Sequence, residues 1–116
     1  MSAPASTEAI LVCAVADLPS VGAAKADIGG RIVSIVHTDD GRVYCIDDAC
    51  THGNVSLSEG ELSGCHLECW LHGSRFDVRT GEPSGLPAIV PVVTHTVEVI
   101  DGQVWVTLAD EPPRRG

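Results

Sequence analysis

Aromatic side chains are scarce: Tyr44, Trp70, Phe76 and Trp105 are the only four in 116 residues. Cations are scarce too, with 7 Lys and Arg against 16 Asp and Glu, for a net charge of −9. Nucleic-acid recognition draws on basic patches and stacking rings, so this composition argues against it. An acidic surface keeps a chain soluble and suits docking to a basic patch on a partner protein. Long apolar runs are missing as well. The run Ala9 to Ala16 is far too short to span a bilayer. Glu8 precedes it directly, with no basic segment and no twin-Arg motif, so it does not read as an export signal. No membrane association is expected, and the expected location is a reducing cytoplasm. The chain also lacks a nicotinamide or flavin fingerprint and a P-loop. It lacks a motif for the two-imidazole, one-carboxylate iron site of oxygenases. No stretch has the period of a long amphipathic helix, and no internal repeat is visible.

What remains is a set of short, β-branched segments separated by closely spaced turns, which predicts one all-β domain. Residues 1–7 and 110–116 read as flexible tails around a domain spanning 8–109. Strands are expected from Glu8 to Val15, Arg31 to His37, Arg42 to Asp47, His66 to Cys69 and Ser74 to Val78. Between Val21 and Gly30 the pattern allows a turn with a short strand, or a helical turn. Asp40-Gly41 signals a two-residue hairpin, and Pro83, Pro87 and Pro91 signal a rigid surface loop. The clearest hairpin closes the chain, with Thr94 to Ile100 and Gln103 to Leu108 flanking Asp101-Gly102. Its register places Val97, Val99, Val104, Val106 and Leu108 on one face, expected to be the core, and His95 falls on that side as a buried structural histidine.

Five cysteines, an odd number, argue against a disulfide framework. Cys13 and Cys45 sit in apolar strand-like runs and read as small buried hydrophobes, while Cys65 has no evident role. The other two belong to a pattern. Cys50-Thr51-His52-Gly53 is followed after fifteen residues by Cys69-Trp70-Leu71-His72-Gly73. Each segment supplies one thiol and one imidazole, and each ends in a glycine that lets the chain turn sharply around something bulky. Both ligand types suit iron or zinc. With one of each per loop, Cys50 and Cys69 could hold one iron and His52 and His72 a second, the mixed ligation of a Rieske [2Fe–2S] cluster. A single zinc is the competing reading, although zinc fingers usually group like ligands together.

The text around these ligands, CTHGNVSLSEGELSG and ECWLHGSRFDVRTGEP, resembles the small Rieske ferredoxins of bacterial ring-hydroxylating dioxygenase systems. The likeness runs from about residue 8 to 108. It implies three stacked antiparallel sheets, with the cluster held by a small subdomain of about residues 48–88. It implies that Gly53, Gly73 and Pro87 shape the rim of the site and that Ser74 donates a hydrogen bond to a sulfur. Trp70 stands where relatives often have Pro, as an exposed partner contact or as packing, and Leu71 is a second possible contact. Leu57 is open to the same two readings.

Respiratory Rieske proteins carry a further disulfide between the ligand loops; Val55 and Leu71 occupy those places here. High-potential members also carry a Tyr where this chain has Phe76. The resemblance therefore implies a low-potential one-electron carrier, monomeric by default. A flavoprotein ferredoxin reductase drawing on NADH or NADPH would reduce it, and a terminal oxygenase would take the electron. The alternative is the Rieske-type small subunit of an assimilatory nitrite reductase.

Overall fold

The segment Arg31–His37 is apolar almost without alternation, as expected of a strand covered on both sides. In the computed structural model, which describes residues 9–49, 55–70, 74–84 and 90–109, that is its position. The strands are β1 (Ile10–Ala14), β2 (Gly22–Ile28), β3 (Arg31–His37), β4 (Val43–Asp47), β5 (Leu62–Ser63), β6 (His66–Glu68), β7 (Arg75–Asp77), β8 (Pro83–Ser84), β9 (Thr94–Ile100) and β10 (Gln103–Thr107). Val33 and Ile35 of β3 and Cys45 of β4 point into one core with Val104 and Val106. Val36 of β3 and Ile46 of β4 point the opposite way, into a second core with Leu57, Leu67, Cys69, Phe76 and Val78. Because strand side chains alternate in direction, the β3–β4 hairpin serves as the wall between both cores.

All strand pairs are antiparallel, and they form two sheets among the described residues: six strands in the order β1-β10-β9-β4-β3-β2, and four in the order β5-β6-β7-β8. The all-β expectation holds. The three expected sheets appear as two because β9, paired with β10 over most of its length, also pairs with β4 at Cys45–His95 and Ile46–Thr94. That short seam joins two sheets into one.

Several local expectations are refined. The stretch from Gly22 to Ile28 forms a full strand, with no helical turn. The β3–β4 turn has three residues rather than two: the Thr38 amide donates to the Arg42 carbonyl at 3.0 Å, and Gly41 takes φ +86°. This is a type I turn closed by a left-handed residue, and glycine supplies that conformation at low cost. Pro83 lies in β8, a two-residue edge strand, where a missing N–H is tolerated. The closing hairpin has the expected register, Ile100 with Gln103 through Val97 with Val106. Val99, however, is 48% exposed although its partner Val104 is buried. Val104 lies between β1 and β9, whereas among the described residues β9 has a second neighbour only at Thr94 and His95. Both expected tails, residues 1–7 and 110–116, lie outside the described residues.

Candidate metal centre

The two ligand segments sit in loops whose necks are tightly closed. In the first, an antiparallel bridge joins Ala49 to Ser56, and the Leu57 amide donates to the Asp48 carbonyl at 2.6 Å. Residues 50–54 lie between these necks, so Cys50, His52 and Gly53 fall outside the described residues. In the second, the Cys69 amide donates to the Ser74 carbonyl at 2.6 Å, closing a turn between β6 and β7. Leu71, His72 and Gly73 lie inside that turn and outside the described residues, as does Pro87 in the segment 85–89. Of the four ligand candidates only Cys69 is therefore placed, and no group of three metal-binding side chains occurs among the described residues.

Cys69 and Ser74 are both 0% exposed, and Cys69 packs in one core with Leu67 and Phe76. The segments that flank the two loops are neighbours. The Glu68 amide donates to the Glu61 carbonyl at 2.9 Å, which ties the chain following the first loop to the strand that delivers Cys69. Gly60 lies so close that a Cβ there would stand 1.6 Å from the Glu68 carbonyl oxygen. The sequence marks Gly60 only as a turn residue; its role is to let two backbones touch. Trp70, beside Cys69, is 52% exposed. Leu57 is fully buried, so it belongs to the core and not to a partner surface.

Asp47 and Asp48, consecutive in sequence, face opposite cores. Asp47 receives Arg31 Nε at 3.0 Å and Nη2 at 2.9 Å, and lies 2.9 Å from His95 Nε2. The Ala109 amide donates to His95 Nδ1 at 2.9 Å, so Nε2 carries the hydrogen given to Asp47. Burial would raise the Asp47 carboxyl; hydrogen bonds from His95 and Arg31 outweigh it and hold it below the usual carboxylate range. His95 is thus structural, as expected. Asp48 is buried on the side of the ligand loops. Its Oδ1 accepts from Ser34 Oγ at 2.7 Å and from the Ser58 amide at 3.0 Å. Burial pushes this carboxyl up, and hydrogen bonds from Ser34, Ser56 and Ser58 bring it below its ordinary value. No periodicity or motif announced either network; the adjacent pair Asp47-Asp48 just ahead of Cys50 was the available signal.

Of the remaining cysteines, Cys45 is buried as expected, whereas Cys13 is only partly so. Cys45 is 1% exposed and burial pushes its thiol up to about 12. Cys13 is partly buried against the same core, and Cys65 packs at the edge of the other one. The four described cysteines, these three and Cys69, are free thiols. No helix among the described residues is long and apolar enough to cross a membrane.

A metal group must fit this frame. Each of the two closed necks carries a run with one thiol and one imidazole, a donor set that suits a compact iron–sulfur group. A buried Cys69 suits a thiolate ligand shielded from water, and the donor set suits iron paired by ligand type.

Comparison with known proteins agrees. The Rieske [2Fe–2S] domain matches residues 8–101. The 3-phenylpropionate/cinnamic acid dioxygenase ferredoxin subunit of Photorhabdus laumondii is 41% identical over 103 residues, covering 88% of this chain and 96% of that protein. The ferredoxin of carbazole 1,9a-dioxygenase from Nocardioides aromaticivorans superposes with a TM-score of 0.83 at 31% identity, over 89% of this chain and 100% of its own. A ferredoxin in complex with the oxygenase of a carbazole 1,9a-dioxygenase gives 0.77 at 38% identity, over 84% of this chain and 99% of that one. The chain belongs to the Rieske [2Fe–2S] family and is a homologue of the ferredoxin subunits of dioxygenase systems.

Proposed function

We propose that this protein carries single electrons from an NAD(P)H-dependent flavin reductase to the terminal oxygenase of a multicomponent aromatic-ring dioxygenase. It is an electron-transfer component and not itself the catalyst. Cys50 and Cys69 would hold one iron of a [2Fe–2S] cluster, and His52 and His72 the other. When bound, the cluster supplies a reversible one-electron couple. The chain's own contribution is to bind it, shield its thiolate side and present its imidazole side to a partner. The observation that carries this reading is the pair of adjacent closed necks, with fully buried Cys69 at one of them. Gly53, Gly73 and Pro87 would shape the rim, and Ser74 would donate to a sulfur. Trp70 and Leu71 would lie in the partner contact. We further propose that the protein is a monomer working in the cytoplasm.

Hydrogen bonds to cluster sulfurs and thiolates favour the reduced, more negative state. Phe76 is fully buried in the core that holds Cys69 and offers no such donor. The potential is therefore expected near the bottom of the Rieske range, at about −150 mV. Absorption and EPR spectra of the purified protein, with iron and labile sulfide analysis, test the cofactor. A colourless zinc protein, or an unchanged spectrum in His72→Ala, would refute it. Reconstitution with a flavin reductase and a ring-hydroxylating oxygenase tests the role. Turnover with a nitrite reductase flavoprotein in place of the oxygenase would favour the alternative assignment.

A further inference from the structure

Asp48 is only 3% exposed and lies two residues before Cys50. It holds both ends of the first ligand loop to the sheet beneath. Its amide donates to the Ile32 carbonyl at 3.1 Å, its carbonyl accepts from Leu57, and its Oδ1 ties Ser34 of β3 to Ser58 beyond the loop. One residue therefore fastens the entry of the loop, its exit and the wall strand.

Its charge balance is unusual. Asp47, facing the other core, is neutralised by a bidentate Arg31. Among the described residues Asp48 pairs with Lys25, whose Nζ lies 3.9 Å from Oδ2 and whose side chain is 49% exposed. Lys25 pairs with Ser34 across β2 and β3, so it stands on the same face as Asp48. A half-solvated ammonium at that distance offsets a buried carboxylate incompletely. A buried charge is also screened less by salt than surface charges are, so a net negative field persists at the neck of the loop.

We propose that Asp48 positions the first ligand loop and, through its charge, opposes electron uptake at the centre, with Lys25 offsetting part of that charge. This rests on the assignment of Cys50, His52, Cys69 and His72 as cluster ligands. It concerns a fixed charge of this chain and adds a determinant of potential distinct from the hydrogen bonds discussed above.

The test is a spectroelectrochemical titration of the iron-loaded wild type, Asp48→Asn and Lys25→Gln, alongside thermal melts. An asparagine oxygen can still accept from both Ser34 and Ser58, so Asp48→Asn removes charge with little change in shape. Its midpoint potential should rise. Lys25→Gln, on an exposed side chain, should keep its melting temperature and lower the potential. Loosening of the loop alone would not produce opposite shifts. Asp48→Ala, which removes all of the carboxylate's hydrogen bonds, should release iron to a chelator faster than Asp48→Asn. Potentials that do not move, or that move in the same direction in both charge variants, overturn the proposal. If Asp48→Asn does not retain iron, Lys25→Gln decides: a lowered potential supports the proposal and any other result overturns it. Wild-type protein without iron and sulfide overturns the ligand assignment and this proposal together. A loaded wild type with unmoved variants overturns this proposal alone.

Discussion

Gly60→Ala is expected to push apart the segments that flank the two ligand loops. A Cβ at position 60 would stand 1.6 Å from the Glu68 oxygen and 2.9 Å from its carbonyl carbon, where contacts under 3.0 Å are essentially never seen. The obstacle is backbone, so no rotamer change relieves it. Glu68 must retreat, and it is anchored: its amide donates to Glu61, its neighbour Leu67 is fully buried, and Cys69 follows. Overpacking a well-filled site costs about 1–3 kcal/mol, and the rigid partner puts this case near the upper end. For a domain of this size, about 3 kcal/mol lowers the melting temperature by roughly 12 °C. Gly64→Ala is the control: φ there is +61°, but nothing lies within 4 Å of the added carbon. It carries only the left-handed penalty of about 1–2 kcal/mol. Thermal unfolding by circular dichroism, with iron and sulfide content measured on the same samples, reads both effects. Gly60→Ala should melt well below Gly64→Ala and retain less iron. Equal melting temperatures, or a Gly60→Ala protein as stable as wild type, would show that Gly60 and Glu68 are not in close contact.

Other outcomes follow from the same geometry. Phe76→Tyr places a hydroxyl in the core beside Cys69; a hydrogen bond of about 1–1.5 kcal/mol to the cluster raises a one-electron potential by roughly 40–65 mV, read by redox titration. His95→Ala leaves the Ala109 amide without its acceptor and removes one partner of Asp47, so urea denaturation should show a loss of about 2–4 kcal/mol with the visible spectrum unchanged. The folded-state carboxyls of Asp47 and Asp48 are held low, so their stabilisation is complete above the unfolded value of about 3.9 and is lost as pH falls through the lower native values. Asp47→Asn should therefore flatten the acid limb of a stability–pH curve, and an identical limb would refute the contribution. Trp70→Ala, at an exposed site, should leave stability within about 0.5 kcal/mol while slowing electron delivery to the oxygenase by roughly tenfold.

The parts of this molecule that were legible in its sequence are those governed by local rules. β3 and the closing hairpin follow from β-branched runs and an Asp-Gly turn, and both appear with the expected bounds or register. The ligand pattern is legible because metal chemistry demands particular side chains at short spacings. What could not be seen depends on which neighbour the fold supplies. Val99 alternates correctly yet is half exposed, since nothing in its own segment says that β9 lacks a second partner there among the described residues. Gly60 looks like any turn glycine until Glu68, eight residues on, is found against it. Asp47 and Asp48 are the sharpest case. Local composition treats them as equivalent acids in a turn-prone pair, but strand alternation sends them to opposite faces of the wall between the cores. One becomes part of a neutralised structural network with Arg31 and His95; the other becomes a buried charge at the neck of a ligand loop. The difference lies wholly in the direction of each side chain, which is why charge at this site has to be assigned from the fold and then measured as a potential.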